Sequence, residues 1–126
     1  MQLTRDGQTW VNQTLAHMTL GEKVGQMLQV RVFGDSLDFT DPNFLYVRDE
    51  IQKYHIGSLD LSVHMLGPNL VKGSPEEVAA ILNQLQKDSR LPLLVGGDIE
   101  RGPASRLSDS PEFPFPMAFG AIGDSE

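Results

Sequence analysis

The sequence contains no cysteine among its 126 residues. This absence excludes disulfide-stabilised scaffolds, thiol nucleophiles, iron–sulfur clusters and zinc sites built from thiolates. It leaves the redox compartment undefined, because cysteine-free proteins occur in every compartment.

Positive charge and long apolar runs are also scarce. Only 10 Lys and Arg residues stand against 17 Asp and Glu residues, which gives a formal net charge of -7. Nucleic acids and anionic membranes both select basic surfaces, so we expect neither as a partner. No apolar run approaches the roughly 20 residues of a membrane span. The segment Met1–Gly7 has no signal-peptide hydrophobic region, so we expect a cytoplasmic location.

The residues that are present have the composition of a folded domain. Hydrophobic residues make up 40% of the chain and charged residues 21%, which argues against disorder. The length fits one domain or part of a larger one.

Capping signals mark the predicted helices. Thr19 and Glu22 have the spacing of a capping box, and apolar residues then recur on one helix face. Ser74 and Glu77 repeat this spacing with Pro75 between them, and they begin the clearest helix of the chain. A further helix is predicted over about residues 43–55, and a weaker helical pattern covers residues 9–18.

Three predicted strands alternate with these helices. Their centres lie near Val30, Leu61 and Leu94, which are 31 and 33 residues apart. The third strand is fully apolar, as is typical of parallel strands covered on both faces. Residues 64–73 are predicted to be a loop. Residues 117–119 are predicted to be extended, because Pro114 and Pro116 disfavour a helix.

The strand spacing predicts an α/β fold with parallel strands. It equals the length of one strand-plus-helix unit of a (β/α)₈ barrel, which divides roughly 250 residues into eight such units. An open doubly wound sheet has the same alternation. Periodicity alone therefore leaves the two architectures as alternatives.

The strongest chemical signal follows the third strand. Asp98 lies just past the end of that strand, where α/β folds bind ligands. With Glu100, Arg101 and Arg106 it offers hydrogen-bond acceptors and donors, a mixture that suits a polyhydroxylated ligand. The alternative interpretation is structural: Asp98 caps the next turn, and the arginines pair locally with carboxylates.

Other chemistry has little support in the sequence. Gly96, Gly97 and Gly102 match no nucleotide-binding motif, so we expect no cofactor. The acidic residues of segment 35–41 lack calcium-loop spacing, and the histidines lack metal-ligand spacing, so we predict no metal site. His17 is predicted to lie on a helix surface, whereas His64, after a strand, is a minor candidate for lining a site.

Three segments resemble the N-terminal domain of glycoside hydrolase family 3. Met18–Met27 is similar to the family's M-T-L-x-E-K-x-G-Q-M. Leu91–Gly102 is similar to its L-P-L-L-V-x-x-D-x-E-G-G, and Phe113–Ala121 to its F-P-x-x-M-A-x-G-A. The order and spacing agree over about residues 17–126. The resemblance favours the β-N-acetylhexosaminidase branch over the β-glucosidase branch.

The resemblance implies a (β/α)₈ barrel and a retaining exo-glycosidase. It implies that Asp98 hydrogen-bonds hydroxyls of the sugar at the non-reducing end and that Arg106 also contacts this sugar. The chain departs from the family pattern at Arg101, where Gly is usual, and at Pro103, where Arg is common. Glu100 and Arg101 are therefore assigned no role.

The family's nucleophile, its Lys-His pair and its acid/base group have no counterparts in these residues. We therefore expect only the first three to four barrel units, with sugar-binding residues but no catalytic residue. The rest of the barrel, or self-association, would then cover the exposed sheet. The alternatives are a non-catalytic α/β module or partial barrel that acts through self-association or a partner, and a small open-sheet nucleotide-binding domain.

Overall fold

A computed structural model describes residues 3–123 of the chain. The helices are α1 (Arg5–His17), α2 (Leu20–Gly25), α3 (Pro42–Tyr54), α4 (Pro75–Asp88) and α5 (Pro116–Ile122). The strands are β1 (Gln29–Phe33), β2 (Ser58–Ser62), β3 (His64–Leu66), β4 (Asn69–Val71) and β5 (Leu94–Gly97). A short 3₁₀ helix covers Pro103–Ser105.

The central feature is a parallel three-stranded sheet in the order β1-β2-β5. Val30 lies beside Leu59, and Leu59 lies beside Val95, so the middle strand is paired along both edges. Helices α3 and α4 connect consecutive strands of this sheet. The predicted α/β class with parallel strands is confirmed, and it is consistent with part of a (β/α)₈ barrel.

One face of the sheet carries the hydrophobic core. Leu59 is fully buried there and Val32 is nearly so. Helices α3 and α4 contribute the other main core residues, which are Phe44, Val47, Ile51, Ile81 and Leu85. These helix residues recur three or four positions apart, as expected for one buried helix face.

The opposite face of the sheet is open. Because side chains alternate along a strand, the neighbours of the core residues point to this other face. Arg31 lies beside Asp60, and Asp60 lies beside Gly96. Leu94 is on the same face and is 75% exposed. We call this surface, made by alternate residues of β1, β2 and β5, the open face.

The predicted helix starts are confirmed in detail. Thr19 Oγ1 accepts from the backbone N–H of Glu22, and the Glu22 carboxylate accepts from the backbone N–H of Thr19. Ser74 and Glu77 make the same reciprocal bonds at the start of α4. Each box satisfies two backbone donors that a helix start would otherwise leave unpaired.

Two predicted elements are wrong. Residues 117–119 are helical, because Pro116 occupies the first turn of α5, where proline has no hydrogen bond to lose. The predicted loop 64–73 contains an antiparallel hairpin, β3–β4, whose turn includes Gly67 with φ 60°.

The apolar sequence of β5 also predicts a strand that is covered on both faces, and this prediction is wrong for the described residues. Val95 is 45% exposed although it lies on the core side, because β5 is an edge strand of the sheet.

Within residues 3–123 no helix combines the length and apolar character needed to cross a membrane.

Candidate functional site

The carboxyl ends of β1, β2 and β5 lie at one edge of the sheet because the strands are parallel. Asp35 lies two residues past β1, His64 lies two residues past β2, and Asp98 directly follows β5. Loops at this edge of α/β sheets carry ligand-binding side chains on a rigid scaffold. We call this region the carboxyl edge and treat it as the candidate site.

The structure brings together the two residues singled out from the sequence. Arg106 Nη2 lies 3.5 Å from Asp98 Oδ2. The Arg106 side chain is only 19% exposed, whereas the Asp98 side chain is 64% exposed. A half-buried guanidinium thus lies beside a carboxylate that faces solvent.

Arg106 is fixed by a second contact. Its Nη1 donates to the Ser105 carbonyl at 2.9 Å. Its Nε is buried and has no hydrogen-bond partner within the described residues. The pair therefore offers carboxylate acceptors and guanidinium donors at one place, which is the mixture that sugar hydroxyls use.

The structural alternative for these residues is correct in part. Arg101 pairs with Glu112, and Arg106 pairs with Asp98, so both arginines do pair locally. Within residues 3–123 the Asp98 carboxylate contacts Arg106, and the Arg101 N–H of the following turn donates to Ser105 Oγ and not to Asp98. Its exposed oxygens remain accessible to a ligand.

The loop after β5 depends on one glycine. Gly102 has φ 79° and ψ -174°, a conformation that is essentially restricted to glycine. A Cβ at this position would lie 2.6 Å from Cδ2 of Phe113. Nearby, the Phe113 N–H donates to the Arg101 carbonyl at 2.9 Å, which closes the loop.

The same loop is attached to the β4–α4 connection. Lys72 Nζ donates to the Ala104 carbonyl. The Ser108 N–H donates to the Gly73 carbonyl at 2.9 Å, and a Cβ on Gly73 would lie 1.7 Å from the Gly34 carbonyl oxygen. Backbone packing at residue 73 therefore connects the loops that follow β1 and β5.

The departure from the family pattern at Arg101 also has a structural consequence. The Arg101 guanidinium carbon lies 4.3 Å from the centre of the Phe115 ring. A cavity of about 160 Å³ opens between these residues and the Arg106 side of the loop. The Arg101 guanidinium forms an ion pair with Glu112. This pairing indicates that Arg101 stabilises the loop.

The aspartates of the acidic segment after β1 have different structural roles. Hydrogen bonds from the side chain and backbone of Thr40 lower the pKa of the Asp38 carboxyl. Asp41 caps α3 by accepting from the Asn43 N–H at 2.8 Å. No group of three or more potential metal ligands occurs among residues 3–123.

Sequence reasoning missed a pair at the same edge. His64 Nδ1 lies 2.7 Å from Asp35 Oδ2, and its ring stacks on Phe33 with centres 3.6 Å apart. The sequence offers one indication of this pair: Asp35 and His64 each follow a predicted parallel strand, so both lie at the same edge of the sheet. His17, in contrast, is exposed on α1 as predicted.

Comparisons with known proteins agree with the motif resemblance. The sequence matches the family model described as glycosyl hydrolase family 3 N-terminal domain over residues 19–126. It is 27% identical over 124 residues to a beta-N-acetylglucosaminidase/beta-glucosidase of Cellulomonas fimi. That similarity covers 98% of this chain and 19% of the relative, so the chain spans about a fifth of the relative's length.

Proposed function

The chain belongs to the glycosyl hydrolase family 3 N-terminal domain family, and on this premise we propose that it is part of a retaining exo-glycoside hydrolase. The proposed substrate is a β-N-acetylhexosaminide or β-glucoside, cleaved at its non-reducing end. Both activities appear in the name of the relative from Cellulomonas fimi.

The observation that carries this proposal is the pair at the carboxyl edge. Asp98 directly follows β5, and its exposed carboxylate lies 3.5 Å from the Arg106 guanidinium. In the proposed complex the carboxylate accepts from sugar hydroxyls, and the guanidinium orients the carboxylate and donates to a sugar oxygen. Charge-assisted hydrogen bonds of this kind are roughly twice as strong as neutral ones.

We further propose that the covalent chemistry lies outside these residues. A retaining glycosidase needs a nucleophilic carboxylate and an acid/base group about 5 Å apart, flanking the scissile bond. The motifs that carry these groups in the family do not occur in this sequence. The segment would then supply sugar contacts only, and the remainder of the barrel would supply the reacting groups.

The sugar-binding role is tested by titrating the ¹⁵N-labelled chain with N-acetylglucosamine and with glucose. We expect saturable shifts at the amides of residues 97–107. Asp98→Ala should weaken binding by about tenfold or more, since a hydrogen bond to a charged group contributes about 1.5–3 kcal/mol. Asp49→Ala, an exposed position on α3, is the matched control. Equal affinity of both variants would contradict the role of Asp98.

The absence of covalent chemistry is tested with p-nitrophenyl N-acetylglucosaminide and p-nitrophenyl glucoside. The purified 126-residue chain is expected to release no nitrophenol above the background rate. Turnover that survives repeated purification would contradict this part of the proposal and leave the sugar-binding part standing.

A second candidate function is a non-catalytic module that acts by self-association. The open face and the exposed edge strand favour it, because uncovered strands tend to pair with other chains. Leu94 is the most exposed apolar side chain of that face, at 75%. Sedimentation analysis over a range of concentrations separates the candidates: a monomer at all concentrations argues against self-association.

A further inference from the structure

We propose that His64 is a second sugar-contacting residue, held in position by Asp35 and by the ring of Phe33. This inference rests on the proposed glycoside-binding function and extends its binding surface from β5 across β2 to β1. The ligand is a neutral hexopyranose, and His64 would bind one of its hydroxyls through Nε2.

The register of the sheet places His64 beside the site already described. Phe33 pairs with Ser62, and Leu61 pairs with Gly97. Extending the pairing of β2 with β5 by one residue places Asp98 beside Ser62. Ser62 is two positions before His64 in the sequence. Because side chains alternate along a strand, Ser62 and His64 share the side of the open face. Polar groups from three adjacent strands thus meet at one edge.

The contact with Asp35 leaves one nitrogen of the ring for a ligand. A carboxylate only accepts, so the Nδ1–H of His64 donates to Asp35 Oδ2 across 2.7 Å. This bond selects the tautomer and fixes the plane of the ring. No described residue is hydrogen-bonded to Nε2, and the His64 side chain is 33% exposed.

Phe33 fixes the ring from its other side. The two rings are stacked, with centres 3.6 Å apart and planes inclined by 22°. Phe33 is the last residue of β1, so the support belongs to the sheet and not to a loop. A ring held by a carboxylate and an aromatic face loses little further freedom on binding, which favours affinity.

A cavity borders the pair on the helix side of the sheet. A cavity of about 190 Å³ is lined by Asp35 and His64 together with Ser36 and Asn43. Its base is formed by core residues, among them Val32 and Phe44. This volume is below the roughly 300–1,000 Å³ of sites for drug-sized ligands. Because its base belongs to the core face, this cavity is separate from the open-face side that carries Asp98, and the proposed contact does not depend on it.

The other aspartates of the same segment show why Asp35 is distinctive. Asp38 is engaged by Thr40, and Asp41 is engaged by the start of α3, so both serve local backbone structure. Asp35 instead contacts a side chain 29 residues away in the sequence. Its contact therefore orients another side chain and caps no local turn.

The test uses selective ¹⁵N labelling of histidine in the 126-residue chain, titrated with N-acetylglucosamine. We expect the Nε2 resonance of His64 to shift saturably, with the same dissociation constant as the amides next to Asp98. The ring resonances of His17, which is exposed on α1, should not move. This measurement needs no variant, so it remains valid even if a substitution at residue 64 disturbs folding.

Variants give the second measurement. His64→Ala should weaken sugar binding about three- to tenfold, the effect of one lost hydrogen bond, and His17→Ala should leave it unchanged. His64→Gln, which keeps a side-chain polar group, should recover part of the loss. Asp35→Asn should alter the tautomeric signature of the His64 ring even without sugar, because Asp35 acts as a positioning residue.

Two outcomes would overturn the inference. In the first, the sugar shifts the amides around Asp98, the His64 ring resonances do not move, and His64→Ala binds the sugar with wild-type affinity. His64 then makes no contact with the sugar, and the proposed function stands. If the sugar shifts neither region, the inference and the proposed sugar-binding role fail together.

Discussion

Gly102 determines the shape of the loop that carries Asp98 and Arg106. We expect Gly102→Ala to destabilise the protein by about 2–3 kcal/mol, because Ala is strained in this conformation and costs about 1–3 kcal/mol there. The new Cβ would also lie 2.6 Å from the Phe113 ring. Urea unfolding of the variant against the wild type measures this difference in the free energy of unfolding.

Gly67→Ala is the comparison variant for a positive φ without a steric contact. Gly67 also has a positive φ, at 60°, but nothing lies within 4 Å of the position a Cβ would take. We expect a loss of about 1–2 kcal/mol, the usual cost of a left-handed backbone for a non-glycine residue. A loss for Gly102→Ala no larger than the loss for Gly67→Ala would contradict the larger cost expected at Gly102.

For individual residues, the sequence predicts their place at the edge of the sheet better than it predicts their contacts. The position of Asp98 directly after β5 could be predicted, because the preceding apolar residues predict a strand that ends there. The His64–Asp35 contact is not predicted, although both residues follow predicted strands, because it joins residues 29 positions apart through the pairing of those strands. Only the register of β1 and β2 reveals that they meet.

Helix α2 depends on a carboxylate at its first turn. The backbone N–H and the hydroxyl of Thr19 both donate to Glu22, and Arg90 pairs with the same carboxylate. These hydrogen bonds, followed by the charge of Arg90, lower the pKa of Glu22 below its usual 4.5. Since Arg90 lies after α4, the carboxylate also connects two helices that are distant in sequence.

The lowered pKa of Glu22 predicts how stability depends on pH. Its contribution is fully present above pH 4.5, the ordinary value, and is lost as pH falls through the lower folded-state value. Glu22→Gln should therefore be less stable than the wild type at pH 7, and the two should converge in acid. Urea unfolding as a function of pH measures the convergence.

Glu76→Gln is the matched control for this measurement. Glu76 is exposed in the first turn of α4, and its carboxylate makes no ion pair among the described residues. We expect a smaller loss of stability at pH 7 than for Glu22→Gln. If the gap between wild type and Glu22→Gln stays constant down to strong acid, the carboxylate of Glu22 does not stabilise α2.

Elements with their own start signals are the ones that the sequence predicts best. The capping boxes at Thr19 and Ser74 are local, so they can be recognised without the fold. Helix α5 is not predicted because Pro114 and Pro116 disfavour a helix interior, although proline suits the first turn of a helix. The β3–β4 hairpin was missed because its three-residue strands are too short for a clear alternating pattern.

In the whole molecule, the sequence pattern predicts one face of the sheet better than the other. The core face follows from the apolar periodicity of α3 and α4, in which Val47, Ile51 and Ile81 recur at helical spacing and are buried. Periodicity does not predict the open face, because Leu94 in the apolar third strand gives the same signal whether or not it is covered. The exposed sheet is expected only from the resemblance, which implies an incomplete barrel. Arg31 and Asp60, side by side on that face, are its polar part.

Identical substitutions on the two faces test whether this asymmetry persists in solution. Leu59→Ala should lower the free energy of unfolding by about 2–5 kcal/mol, because Leu59 is fully buried in the middle strand. Leu94→Ala should change it by less than about 0.5 kcal/mol, because that side chain is 75% exposed. Both values come from urea unfolding at one low protein concentration. A large loss for Leu94→Ala would mean that another surface covers the open face, and the loss would then grow with protein concentration if that surface belongs to a second copy of the chain.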